Sequence, residues 1–163
     1  MHPDPGLLQR ELKQSRPFPT AAEEAVLSVL RSADLLRRRF AGVLEPFGIS
    51  NQQYNVLRIL RGAGERGLPT LEIADRMVEH SPGITRLIDR LVDHGWADRS
   101  RCAEDRRVVY CRITTRGLEL LDEVDQPLRA AHDAILDNLT EDQRVQLIAL
   151  LDLLRGGEAL PEC

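Results

Sequence analysis

The sequence predicts a mainly α-helical chain with a small β-hairpin, and three observations carry that prediction. Apolar residues recur at three- and four-residue spacing through most of the chain. Hydroxyl residues followed three positions later by Glu or Gln stand ahead of several of these stretches, as helix starts require. Only the segment from Trp96 to Thr114 alternates with the two-residue period of strands.

The elements follow in chain order. Pro3, Pro5, Pro17 and Pro19 predict a loosely ordered arm over residues 1–19. Thr20 and Glu23 form a capping box that opens a helix to about Leu44, with Val26, Val29, Leu30, Ala33, Leu36, Phe40 and Val43 on one side. Pro46 and Gly48 break it. Ser50 and Gln53 make a second capping box, with Ile49 and Tyr54 as a hydrophobic staple, and that helix ends near Gly62. After a glycine-rich loop, Thr70 is expected to cap a short helix containing Leu71, Ile73, Ala74 and Met77. Val78–His80 form the turn to the next helix. There Ser81 serves as N-cap and Pro82 as first helical residue, where its missing N–H costs nothing. Ile84, Leu87, Ile88, Leu91 and Val92 form its apolar stripe, and Gly95 stops it. Two strands, Trp96–Arg101 and Arg107–Thr114, flank a turn at Cys102–Arg106. Thr114 or Thr115 caps a long helix to about Asn138, which Pro127 should kink or split. Thr140 and Gln143 make a third capping box before a last helix ending at Gly156–Gly157, and 157–163 is a frayed tail.

The expected organisation is therefore a winged helix-turn-helix over 49–117, flanked by a dimerisation helix over 20–48 and C-terminal dimerisation helices over 118–156. The flanking helices are more apolar than a small winged domain can cover, so their stripes need a partner. The economical partner is a second copy, giving a twofold homodimer.

Length and composition bound the rest. At 163 residues one compact domain is the default, and with 42% apolar but only 4% aromatic residues the core must be aliphatic. No apolar run approaches the ~20 residues that span a bilayer, and the N-terminus lacks the apolar centre of a signal peptide, which predicts no membrane partner and a cytoplasmic protein. The chain carries 22 basic and 26 acidic residues. Residues 81–116 hold eight arginines against five acids, a balance of +3, which leaves 14 basic and 21 acidic residues, or −7, elsewhere. An acidic chain with one basic module fits a local nucleic-acid footprint. On the helix, Gly83 permits close backbone approach, while Thr85 and Arg86 can meet base edges or phosphates. The hairpin tip, with Glu104, Asp105, Arg106 and Arg107, suits a narrow minor groove.

Other chemistries find no support. There is no glycine-rich phosphate loop, nucleophile elbow or HExxH, so no enzyme and no cofactor are expected. His2, His80, His94 and His132 do not cluster by spacing, so no metal site is expected. Cys102, Cys111 and Cys163 lack the spacing of a disulfide framework or zinc site and read as reduced thiols. Cys102, beside Arg101 and Arg106, is the candidate for redox reactivity.

The stretches ITRLIDRLVDHGW (84–96) and DRRVVYCRITTRG (105–117) resemble the MarR (multiple-antibiotic-resistance regulator) family of dimeric winged-helix repressors, with the resemblance running from about Thr20 to Arg155. The resemblance implies a ligand-responsive repressor that reads a pseudo-palindromic double-stranded DNA operator, with helix 81–94 in the major groove and wing 101–107 in the minor groove. It implies that Pro82, Gly83, Thr85 and Arg86 face the major groove, that Ser81 at the helix start belongs to the DNA-binding set with them, and that Arg90 meets a phosphate. It places Arg107 in the minor groove, Arg106 beside it, and Asp105 as an ion-pairing support for the wing. Arg99 and Arg101 either lie near the DNA backbone or form surface ion pairs with Asp98 or Glu104. The implied effector is a small anionic or phenolic molecule bound between dimer helices and winged domain. Two departures from the family pattern stand out: Cys102–Ala103 where Asp-Pro is frequent, and Val78–Glu79–His80 without the usual glycine. The alternative is a winged-helix protein-docking module without DNA binding, because fold does not fix function.

Overall fold

The computed structural model describes residues 6–101 and 109–156. Among them, α2 (Ala21–Leu44) and α3 (Asn51–Ala63) run from hydroxyl caps. Thr20 Oγ1 accepts from the Glu23 amide at 3.2 Å. At Ser50 the box closes in both directions, 3.2 Å from the Gln53 amide and 3.0 Å from the Ser50 amide to Gln53 Oε1. Between them the chain reverses through a 3-10 turn, Glu45–Phe47, closed by Gly48 at φ +68°.

A two-residue strand, β1 (Leu68–Pro69), precedes α4 (Thr70–Asp75) and α5 (Ile84–Asp93). The wing strands are β2 (Ala97–Arg101) and β3 (Val109–Ile113). Together they form an antiparallel sheet in the order β1-β3-β2, with Leu68 opposite Cys111 and Arg99 opposite Cys111 on the other side. Then α6 (Thr115–Leu136) and α7 (Glu141–Gly156) complete the described chain, with Thr140 and Gln143 closing a reciprocal box at 3.3 and 2.9 Å.

The core lies where α3, α4, α5, β3 and α6 meet. Val56, Leu57 and Leu60, Ile73, Ile88 and Leu91, Cys111, and Leu121 and Val124 are fully buried there. Each such leucine or isoleucine side chain contributes roughly 2 kcal/mol through burial. Cys111 is a buried free thiol; Cys102 and Cys163 lie outside the described residues.

Thr114 joins three segments at the base of the wing. Its hydroxyl donates to the Gly95 carbonyl at 2.7 Å and accepts from the Gly117 amide at 3.1 Å. Its own amide donates to the Trp96 carbonyl at 3.1 Å. Gly117 is needed at this junction, because a Cβ there would overlap the Trp96 carbonyl and lie 2.8 Å from Ile113 Cγ1.

Several expectations change. The segment read as a loose arm contains α1 (Leu7–Glu11), which buries Leu8 and pairs Glu11 with Arg31 at 3.2 Å. Ser81 and Pro82 do not start α5: its N-cap is Gly83, without a side-chain cap, and the Leu87 amide makes the first bond to the Gly83 carbonyl at 3.0 Å. Pro82 and Gly83 instead form a turn, the conformation that a Pro-Gly pair favours. Thr70 is the first residue of α4 rather than its cap. Pro127 does not split α6, which runs unbroken from Thr115 to Leu136. Pro127 and Glu123, whose carbonyl loses its helical donor, are both exposed, so water can serve that carbonyl.

Candidate nucleic-acid interface

The amphipathic stripe of α5 turns Leu87, Ile88 and Leu91 into the core and leaves the opposite side outside. Thr85, Arg86 and Arg90 are exposed on that side, Pro82 and Gly83 are exposed in the turn before it, and Ser81 is half-buried. The C-terminal end of α5 is fixed. His94 Nδ1 lies 2.7 Å from the Arg90 carbonyl, and its ring stacks on Trp96 with centroids 4.5 Å apart.

The start of α5 is held by the wing. Arg99 on β2 pairs through Nη1 with Asp89 Oδ1 and donates through Nη2 to the Thr85 carbonyl at 3.1 Å. Of the two alternatives the sequence offered for Arg99, an ion pair is formed, but among the described residues its partner is Asp89 and not Asp98; Glu104 lies outside them. Arg101 is exposed at the end of β2. Arg112 donates to Ser100 Oγ at 3.2 Å on the other face of the hairpin. Asp105, Arg106 and Arg107, and with them Cys102 and Glu104, lie outside the described residues. The structure thus brings Thr85, Arg86, Arg90, Arg99 and Arg101 to one side of the winged unit. By helical spacing alone Asp89 reads as one more solvent-face acid. The alternation of β2 holds the signal: Ala97, Arg99 and Arg101 share one face, and the buried Ala97 marks that face as inward.

The turn between α4 and α5 is anchored to the helices behind it. The Val78 amide donates to Asn55 Oδ1 on α3 at 2.9 Å, and Glu79 approaches Arg37 on α2 at 3.7 Å. Beside this turn lies a cleft of about 350 Å³, lined among others by Leu36, Arg37, Phe40, Tyr54, Arg58 and His132. Arg58 stands over the Tyr54 ring at 5.9 Å, and His132 meets Phe40 edge-on at 5.0 Å. Aromatic walls with two arginines and one nearby carboxylate favour a planar anion.

The order of elements, the sheet and the exposed face of α5 define a winged helix-turn-helix unit. The MarR family profile matches residues 49–109. An uncharacterized HTH-type transcriptional regulator from Bacillus subtilis, YkoM, is 30% identical over 137 residues, 79% of this chain and 87% of its own. The crystal structure of a MarR transcription factor from Planctomyces limnophilus is 41% identical, with 84% of this chain and 99% of that one covered and a TM-score of 0.66. The chain belongs to the MarR family of transcriptional regulators, and so among regulators rather than enzymes. Two more distant neighbours share the fold and were solved with ligands. One is a MarR mutant from E. coli complexed with operator DNA, at 23% identity over 91% of this chain and 98% of that one, TM-score 0.71. The other is NadR in complex with 4-hydroxyphenylacetate, at 24% identity over 88% and 100%, TM-score 0.68. Among the described residues no helix is long and apolar enough to cross a membrane.

Proposed function

We propose that this chain is a cytoplasmic, homodimeric repressor that reads a pseudo-palindromic DNA operator and releases it when a small anionic or phenolic effector binds. The observation that carries the reading is the outer face of α5, where Thr85, Arg86 and Arg90 are exposed beside the wing strand that ends in Arg101. Thr85 and Arg86 meet base edges in the major groove, Arg90 meets a phosphate, and Arg106 and Arg107 enter the minor groove with Asp105 orienting them. The neighbour solved on operator DNA supports this use of the fold.

The second copy covers the apolar residues that the single chain leaves outside. Val26 and Leu30 on α2, and Ile148, Leu153 and Leu154 on α7, are more than half exposed. A twofold pair places two α5 helices about one turn of duplex apart. The effector occupies the cleft beside Arg37, Tyr54 and Arg58, a reading supported by NadR, which was solved in complex with the phenolic acid 4-hydroxyphenylacetate.

The test is selection of genomic fragments with the purified protein, followed by a salt titration of the recovered duplex. A recovered inverted repeat, with log affinity falling steeply against log salt, is the expected result. Recovery of no common sequence at low salt overturns the reading in favour of protein docking. Loss of the complex on adding 4-hydroxyphenylacetate or a related phenolic acid is expected at the effector step.

A further inference from the structure

Arg99 stands directly opposite Cys111 in the wing sheet, and residues so paired share a face. Cys111 is fully buried, so Arg99 leaves the strand on the side packed against α5. There both of its terminal nitrogens are engaged: Nη1 on Asp89, Nη2 on the Thr85 carbonyl at 3.1 Å. Thr85 and Asp89 lie one turn apart on α5, so a single guanidinium spans a full turn of the helix. A lysine offers one nitrogen on a flexible stem in place of two held in a plane, so it cannot reproduce this two-pronged geometry. Asp89 is otherwise out of place. It is a half-exposed carboxylate on the helix that presents Arg86 and Arg90, where simple charge opposes phosphate binding.

We propose that Arg99 is a positioning residue for DNA binding, not a DNA contact: a strut from β2 to Asp89 and Thr85 that fixes the angle between α5 and the wing. Helix and wing must reach two grooves of one duplex at once, and the strut sets the distance and tilt between them. The assignment rests on the DNA-binding reading above. It gives Asp89 a role that outweighs the repulsion its charge introduces.

The experiment compares wild type, Asp89→Asn, Arg99→Ala, Arg99→Lys and the double variant Asp89→Asn/Arg99→Ala on the duplex recovered by fragment selection. Circular dichroism and melting confirm that each variant is folded. Charge alone makes Asp89→Asn bind more tightly. The strut makes it bind about tenfold more weakly, as Arg99→Ala does, with the double variant no weaker than the weaker single one. Arg99→Lys does not restore affinity. The salt slope is unchanged in Arg99→Ala, because Arg99 neutralises no phosphate; a phosphate contact would lower it by about one. Tighter binding by Asp89→Asn, or a slope lowered by about one in Arg99→Ala, overturns the strut and leaves the DNA-binding reading standing. A wild type that binds no duplex overturns that reading and the strut with it.

Discussion

Arg61 on α3 grips Asp125 on α6 through both terminal nitrogens, at 2.8 and 3.4 Å, with Asp122 a further 3.9 Å neighbour. The pair ties the winged unit to the first of the C-terminal helices. Both side chains are about a third exposed, so the bond is partly shielded from water. The hydrogen bond to Asp125 holds the Arg61 guanidinium above its ordinary pKa against the opposing pull of burial.

Asp125→Asn is therefore expected to destabilise the fold by about 1 kcal/mol, a value set by the partial exposure of the pair. That corresponds to roughly 2–4 °C in the melting temperature of a chain this size. The sign of the arginine shift also fixes its pH behaviour. A raised pKa contributes stability that is complete below the ordinary arginine value and is lost only as pH climbs beyond it. Thermal melts of wild type and variant across the neutral range should show no pH dependence from Arg61.

Gly117→Ala is expected to be far more damaging than a helical alanine normally is. The added methyl meets the Trp96 carbonyl and Ile113, both part of the wing base, and overpacking of this kind costs about 1–3 kcal/mol. Denaturant titration should show the loss. Gly62→Ala, where a Cβ meets nothing within 4 Å, should stay near wild type.

Arg86→Ala and Arg107→Ala should each weaken operator binding by about 1–3 kcal/mol. The two differ in kind. Loss of Arg86 should relax preference at a base position, read by binding to single-base variants of the recovered duplex. Loss of Arg107 should matter most where the site has a narrow minor groove. Equal affinity of Arg107→Ala and wild type across a range of salt would remove Arg107 from the interface.

Leu153→Glu should convert the proposed homodimer to a monomer and abolish specific binding. Leu153 is 74% exposed, and α7 has no buried residue in the single chain. A charge there costs an isolated chain little but cannot be buried against a second copy. Sedimentation of wild type and variant at matched concentration decides the point.

Much of this architecture was legible because its signals are local. The boxes at Ser50 and Thr140 close in both directions as their spacing predicts, at Thr20 the hydroxyl caps the Glu23 amide, and Gly95 ends α5 at φ +72°. Features set by distant partners were not. The strand Leu68–Pro69 is too short to show a period and exists because Cys111 and Tyr110 lie beside it. The helix Leu7–Glu11 is paired with α2 through Glu11 and Arg31. Of the site, the outward set of Thr85, Arg86 and Arg90 followed from helical spacing alone. The partner of Arg99 did not, because Asp89 lies ten residues away on another element, and the choice of Asp89 over the adjacent Asp98 is made by which face of β2 turns inward. The cleft beside Tyr54 combines residues of α2, α3, α6 and the turn at Val78, which no single stretch of sequence could announce.

Thr114 gives the hairpin the mechanics of a cantilever. Its root is clamped to the end of α5 through Gly95 and Trp96, and to the start of α6 through Gly117. A beam clamped in this way has no free joint at its base. The orientation of the hairpin's root is thereby tied both to the last turn of α5 and to the first turn of α6.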